Sequence, residues 1–406
     1  MSDLIRRRAL LSGLGLTGLS ACATTGATPS APLADVAAVS GIVRPHFQRP
    51  AFAPLDARPE RLSRVTVCLR PFRGAGPRIE AEAFGDKRLV HNYGHGGSGW
   101  SLSWGSAQVA RDLVMAGGAR DVAVIGCGAI GLTTALTLLR AGAAVTIYAA
   151  ERTPFTRSAR ATGVWSPDSR VAASDQIAPD FPDRWEAMAR ASWAMHHTHV
   201  GLDGDPVRFL DNYILRDEPG ATGRPPRPAP RIGEGQVPFV AWFDRIRDLT
   251  PTGHDLTKDQ HPFPVASART HSMMTFNVAE YAHHIATDFL MEGGRIETRV
   301  FNHPSELSGL SQPVIVNCTG YGARALFGDD SIVPVRGQIA WLVPQPEVAY
   351  ALYYRGVSMV PRADGIVVQA TGGEMAGYNI DDETPDRTEA EQSVAVLASL
   401  YDGRAF

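Results

Sequence analysis

The most informative run for chemistry is Gly126-Cys127-Gly128-Ala129-Ile130-Gly131, preceded by the apolar stretch 121–125 and followed by another at 132–141. A buried strand that turns through Gly-x-Gly-x-x-Gly into a helix aims backbone amides at a pyrophosphate, so the spacing predicts a dinucleotide site. Gly142 closes that helix and 143–148 reads as a second strand. Glu151 then stands about 20 residues past the last glycine, near where a ribose-binding acid belongs. Ala149 and Ala150 occupy the positions at which such an acid more usually stands.

Two earlier segments also carry chemistry. In Leu69-Arg70-Pro71-Phe72-Arg73, Arg70 offers a planar fork that can hold a carboxylate bidentately, as lysine cannot. A structural ion pair is the other reading of Arg70, and the preferred one for Arg73 and Arg78. In the run from His91 to Ser101, Gly96-Gly97-Ser98-Gly99 lacks side chains that would keep backbone away from a flat ring, and 105–116 reads as a helix. Its N-terminal amides would favour negative charge; a plain tight turn is the alternative. No Gly-x-Ser-x-Gly elbow is present, which weighs against a hydrolase. His196-His197-x-His199 lacks carboxylate or cysteine partners at ligand spacing, so it reads, like His283-His284, as a helix surface rather than a metal site. Cys22, Cys68, Cys127 and Cys318 form no Cys-x-x-Cys pair. No metal is expected.

These residues need a scaffold, and its elements are legible. The strand 313–317, the helix 277–293 that stops at a Gly-Gly pair, and the strand 295–300 belong with the glycine motif in one sheet. Residues 207–215 alternate as a strand, 218–235 form a Pro/Gly-rich surface loop or lid, 335–342 return to strand, and 389–401 close as a helix. The 406 residues, 44% hydrophobic and 20% charged with a formal net charge of −3, have room for two domains and argue against a nucleic-acid partner. At the N-terminus, Arg6-Arg7-Arg8 precedes an apolar run to Ala21 that is too short to span a bilayer. It resembles a twin-arginine export signal, and Leu19-Ser20-Ala21-Cys22 resembles a lipobox. The expectation is export to the bacterial periplasm or envelope, with a lipid anchor at Cys22, a signal peptide over 1–21 and a tether over 22–60.

Residues 124–167, with Thr153-Pro-Phe-Thr-Arg-Ser158 and Ala161-Thr-Gly-Val-Trp-Ser-Pro167, resemble the flavin-binding half of the D-amino-acid oxidase family. Asn317-Cys-Thr-Gly320 and Arg336-Gly-Gln-Ile339 match later landmarks of that family, whereas its closing block, the Arg-Pro strand and Gly-rich loop, resembles residues 69–101 and so opens this chain. The resemblance implies a circularly permuted α/β protein. A Rossmann-like FAD domain would be built from 61–170 (the permuted block 61–118 and the Rossmann start 119–170) and 286–335, and a mixed-sheet α+β substrate domain from 171–285 and 336–406. It assigns FAD to Gly126, Gly128, Ala129, Ile130, Gly131, Glu151, Arg152, Arg157, Ser158, Gly163, Val164, Val300, Thr319 and Gly320, and to Gly96, Gly97, Ser98, Gly99, Trp100 and Ser101. It makes Arg70 the substrate arginine, Gly97 part of the catalytic loop, and Tyr354 the first pocket tyrosine, with Tyr350 and Tyr353 close enough to compete. Ser358 replaces the family's second tyrosine and Trp165 follows its flavin-adjacent pattern, although a tryptophan there could equally be core. The implied activity is oxidation of a D-amino acid to imino acid, then 2-oxo acid and ammonia, with oxygen taking the electrons as hydrogen peroxide. A flavin dehydrogenase or secondary-amine oxidase using another acceptor, and an idle flavin-binding lipoprotein, are the alternatives.

Overall fold

The computed structural model describes residues 52–219, 238–373 and 375–401. The export leader, the Cys22 anchor and most of the 218–235 loop lie outside the described residues. Strand β1 (Leu62–Arg73) is followed by the hairpin β2 (Arg78–Phe84) and β3 (Lys87–Tyr93). Its two-residue turn needs left-handed backbone, which Gly85 supplies at φ +61°. Helix α1 (Gly99–Met115) passes through Gly117 and Gly118 into β4 (Asp121–Ile125), α2 (Ala129–Arg140) and β5 (Ala144–Ala149), the unit that the glycine spacing predicts. There follow α3 (Phe181–His197), β6 (Val207–Arg216), β7 (His254–Leu256), β8 (Ser267–Phe276), α4 (Val278–Met291), β9 (Arg295–Thr298), α5 (Ser305–Ser308), β10 (Val314–Asn317) and α6 (Gly322–Phe327). A meander of β11 (Ile332–Leu342), β12 (Tyr350–Tyr354), β13 (Val357–Arg362) and β14 (Gly365–Ala370) leads to α7 (Arg387–Ala398).

Six strands form one sheet in the order β2-β3-β10-β4-β5-β9, parallel except for the edge strand β2. Its central strands are apolar on both faces because both are covered. Val122, Val124 and Val316 pack under α1, α2 and α4 with Trp104, Leu132, Leu136 and Phe289, while Ala123, Ile125 and Ile315 meet Leu307 and Leu310 on the other side. Burial of each such leucine contributes roughly 1.5–3 kcal/mol. The glycine motif, 295–298 and 314–317 share this sheet, as the sequence indicates.

The second sheet has eight strands in the order β1-β11-β14-β13-β12-β6-β8-β7, antiparallel except where β12 meets β6. Tyr213, Leu215, Tyr350, Leu352 and Met359 turn one face onto Leu397 and its neighbours in α7. The alternate residues are left for the other face. Three expectations shift. β1, expected within the flavin block 61–170, joins the eight-stranded sheet, because its whole length pairs with β11 from Leu62↔Leu342 to Arg73↔Ile332. α1 starts at Gly99 rather than 105, since the Ser98 carbonyl already accepts from the Leu102 N–H and Trp100, Leu102 and Trp104 are buried. α4 runs across the expected boundary at 285 and 286, its buried stripe of Val278, Tyr281, Ile285 and Phe289 being continuous. Both sheets fall in one unit, Pro50–Phe406.

The histidines at and just after the end of α3 divide. His197 is exposed, but His196 and His199, expected on a helix surface, are buried. The Tyr281 hydroxyl accepts from Trp104 Nε1 at 2.7 Å and is hydrogen-bonded to His196 Nδ1 at 2.7 Å. This is a polar clamp inside the core, and among the described residues no cluster is arranged to hold a metal. Burial pulls the pKa of His196 down to about 3. Below about pH 6.5 the unfolded chain takes a proton that the native imidazole refuses, so this stabilisation is complete above pH 6.5 and lost as pH falls, at up to about 1.4 kcal/mol per unit. His196→Gln is expected to remove that component of the acid slope in urea unfolding between pH 7 and pH 4.5; an unaltered slope would show that His196 is not held neutral.

Candidate active site

The carboxyl ends of β4, β5 and β10 open on a cavity of about 1190 Å³, whose far wall is the face of the eight-stranded sheet turned away from α7. Strand connections diverge between β10 and β4, the place where open α/β sheets receive ligands. Gly126 turns the chain at φ +110°, and a Cβ there would lie 2.6 Å from the Cys318 carbonyl; a Cβ on Gly131 would collide with the Gly126 carbonyl. Gly128 then begins α2 with no side-chain cap, and the Ala129 N–H donates to Ser158 Oγ at 3.0 Å. The positive end of α2 is thereby left on the cavity wall at Gly128, Ala129 and Ile130. Such a cradle fits the phosphates of a dinucleotide.

Glu151, Arg157, Ser158, Gly163, Val164, Val300, Thr319 and Gly320 all line the same cavity. Gly131 does not, because its part is to let α2 pack on the turn. Arg152 does not either: its Nη2 donates to the Ile296 carbonyl at 2.9 Å and to Thr298 Oγ1, so the side chain is spent on β9. From the other side come Gly96, Gly97, Gly99, Trp100 and Ser101, at the start of α1. Ser98 faces away, its Oγ donating to the His95 carbonyl at 2.7 Å. Gly96 and Gly97 are required for a reason besides access, since side chains there would run into Arg170 and Ser169 behind them. Neighbouring His95 is buried with no partner at either ring nitrogen, and burial pulls its pKa to about 3, so it is neutral.

Arg70 reaches this cavity from β1 and lies over Gly337 of β11, where any Cβ would strike the guanidinium. Its Nη1 donates to the Arg336 carbonyl at 3.3 Å, and no carboxylate pairs with it among the described residues. Burial lowers its pKa. A buried cation without a counter-charge costs several kcal/mol, so the geometry asks for an anionic ligand.

Tyr354 is not on the cavity. Side chains alternate along β12, and Tyr354 falls on the α7 side, buried, its hydroxyl donating to Asp217 at 2.8 Å; burial raises its pKa. Tyr353 lines the cavity instead, directly across from Ser358, which also lines it. Trp165 is core: it is buried against Trp193, ring centroids 4.5 Å apart, and does not reach the cavity. The sequence reading missed Gly337, Gln369, Asn212 and Arg216, all on the eight-stranded sheet's side of the cavity. Only strand alternation could have pointed to them.

A family model described as FAD dependent oxidoreductase matches residues 121–405. A D-amino-acid oxidase of Dictyostelium discoideum is 27% identical over 293 residues, covering 69% of this chain and 74% of its own length. One from Streptomyces coelicolor is 30% identical over 238 residues, covering 54% of this chain and 58% of its own length. Among solved structures, a glycine oxidase from Bacillus cereus is similar at a TM-score of 0.43 and 15% identity, covering 70% of this chain and 77% of that one.

The two tyrosines should separate in stability. Tyr354→Phe is expected to lower unfolding free energy by about 1 kcal/mol through the lost bond to Asp217, and Tyr353→Phe to change it by less than about 0.5 kcal/mol. Urea denaturation of both variants checks this, and equal losses would reverse the assignment.

Proposed function

The chain belongs to the family of FAD-dependent oxidoreductases, and from that premise we propose that it oxidises a D-amino acid at Cα. The observation that carries this reading is the Arg70 guanidinium over Gly337, without a carboxylate partner among the described residues, on the same cavity as the Gly126–Ile130 cradle and the start of α1. FAD is the cofactor, and the cavity suits it: the amino end of α2 would hold its pyrophosphate, Glu151 the ribose, and the Gly96–Gly99 loop the flavin ring. Bound FAD would supply a two-electron acceptor for the hydrogen leaving Cα as hydride, and oxygen would be the final acceptor of those electrons, giving hydrogen peroxide.

The chain's own residues bind and orient. Arg70 clamps the α-carboxylate, fixing Cα relative to the Gly97 loop. The first-turn amides of α1 favour negative charge beside that loop. A substrate bound with its amine neutral needs no side-chain base, and neutral His95 adds no competing cation. The resulting imino acid takes up water and releases ammonia and a 2-oxo acid. Circular permutation is part of the proposal, supported by the meeting of Gly96–Gly99 with Gly126–Ile130 on one cavity although the family match begins only at 121.

Anaerobic mixing with paired D- and L-amino acids, followed at the oxidised-flavin absorbance band, tests the activity. Bleaching by D-isomers alone is expected, as is peroxide on readmission of oxygen. Arg70→Leu is expected to raise KM at least about 30-fold, the 2 kcal/mol or more of an unmatched buried charge. Flavin that no D-amino acid reduces would overturn the reading. Export and acylation at Cys22 are proposed from the leader alone, and the mass of the mature N-terminus checks them: an unmodified Cys22 refutes the anchor.

A further inference from the structure

A charged side chain that the proposed reaction does not use lies behind the cavity wall. Arg362, at the end of β13, is 4% exposed, and burial lowers its pKa. Its fork is shared between two partners. Nε and Nη2 donate to the two oxygens of Asp364 at 2.9 and 2.7 Å, and Nη1 donates to the Ala161 carbonyl at 2.7 Å. The guanidinium carbon stands 4.8 Å from the centroid of the buried Trp341 ring, whose Nε1 donates to Thr66 Oγ1. The hairpin that carries it is tied down as well. Arg208 donates to the Pro361 carbonyl at 2.7 Å, and the Ala363 N–H donates to Asn277 Oδ1 at 3.0 Å.

Stability alone does not account for such an arginine. Taking an ion pair out of water costs about as much as its attraction returns, and apolar side chains of the same volume often serve as well. The Asp364 side chain is 31% exposed and can be solvated without a partner. The bond that needs Arg362 is the one to Ala161.

Ala161 leads into Thr162, Gly163 and Val164, and all four line the cavity. Gly163 turns at φ +84°, where a Cβ would lie 2.5 Å from the Phe276 carbonyl and 3.4 Å from Arg362 Cδ. The Gly163 carbonyl accepts from the Phe276 N–H at 2.7 Å, and Thr162 Oγ1 donates to Gln369 Oε1 at 2.9 Å. Neutral bonds thus stitch the turn to β8 and β14, and a charged one, the stronger kind, stitches it to β13.

We infer that Arg362 is a positioning residue: through the Ala161 carbonyl it sets how far the Gly163–Val164 turn projects toward the flavin, and so where the ring stands relative to Arg70. The inference rests on the flavin reading of the cavity and not on the choice of D-amino acids as substrate.

The test uses Arg362→Lys, which keeps the charge but puts one nitrogen where the fork was. Its control is Asp364→Asn, which weakens the ion pair and leaves the Ala161 bond in place. Two readouts need no amino acid: the dissociation constant for FAD, from flavin fluorescence, and the visible circular dichroism of bound flavin. Arg362→Lys is expected to raise that constant at least about tenfold and to alter the dichroism. Asp364→Asn is expected to leave both within about twofold of wild type, because its carboxylate is partly solvated. The double variant Arg362→Met/Asp364→Asn removes both charges and is expected to keep its urea stability while matching Arg362→Lys in both flavin readouts. With an amino acid that wild type oxidises, Arg362→Lys is expected to lower kcat at least about tenfold and hold KM within about threefold, since the ring moves and Arg70 does not. Wild-type FAD affinity and dichroism in Arg362→Lys or in the double variant would overturn the inference, whatever the change in stability. Equal effects from Asp364→Asn would overturn it too, by assigning the role to the ion pair. If no amino acid reduces the flavin, the substrate reading fails, and the expected shifts in FAD affinity and dichroism still uphold the positioning role.

Discussion

Arg70 can stand where it does only because residue 337 has no side chain, and the arrangement of the site follows from that constraint. β1 and β11 pair so that Arg70 faces Val335 across the ladder, and the guanidinium leans along the strand to lie over Gly337, two residues on. A cation held there without a carboxylate is a standing cost. It is borne by the long β1–β11 ladder and by the apolar side chains that alternate with it on β1, Val67 and Leu69, both buried. Function and local stability therefore pull against each other at this position, which is where a binding site is expected to violate the ordinary rules of packing.

Other features of the cavity share the sign of that charge. Two helices, α1 and α2, start on its wall, so two positive helix ends face a space already lined by arginines. Arg157 is partly neutralised by Glu383 at 2.6 Å, on the cofactor side of the cavity. At the substrate end, Arg70 and Arg216 have no such relief among the described residues. His95 could have added another cation, but its burial keeps it neutral. The polar groups of the cavity are thus divided, with the backbone amides of the α2 start at one end and the Arg70 guanidinium, which has no carboxylate partner among the described residues, at the other.

How much of this was legible depended on whether a residue's role is local. Gly126 to Gly131 announce themselves because strand, turn and helix are contiguous, and their steric need is satisfied within a few residues and one neighbouring carbonyl. Tyr354 was misassigned because a strand read in isolation does not say which of its two faces meets the cavity; one step along β12 exchanges Tyr354 for Tyr353. Arg152 and Trp165 lie beside true cavity residues in sequence, yet β9 claims the one and Trp193 the other. Gly96 and Gly97 were recognised for an incomplete reason, since the segment at Ser169 and Arg170 that crowds them is remote in sequence. Arg216 carries no motif at all, and only the alternation of β6 puts it on the cavity.

The proposed change of chain order asks little of such a fold, for a physical reason. The contacts that make the cavity are between element ends: the start of α1, the start of α2, the end of β10, and one face of the second sheet. None of them depends on which segment is synthesised first. α1 and α2 are neighbours in the core whatever connects them, since Trp104 and Leu132 belong to the same apolar cluster. What such a change would alter is the connection between α1 and β4, the segment with Gly117 and Gly118, the latter at φ +76° with open space around it. A short left-handed turn at the surface can join two packed elements without disturbing either, and ends cut elsewhere in a loop leave the core pairings unchanged. A site assembled from element ends is therefore tolerant of rewiring. It is intolerant of a side chain at Gly337, where the limit is one of space rather than of connectivity.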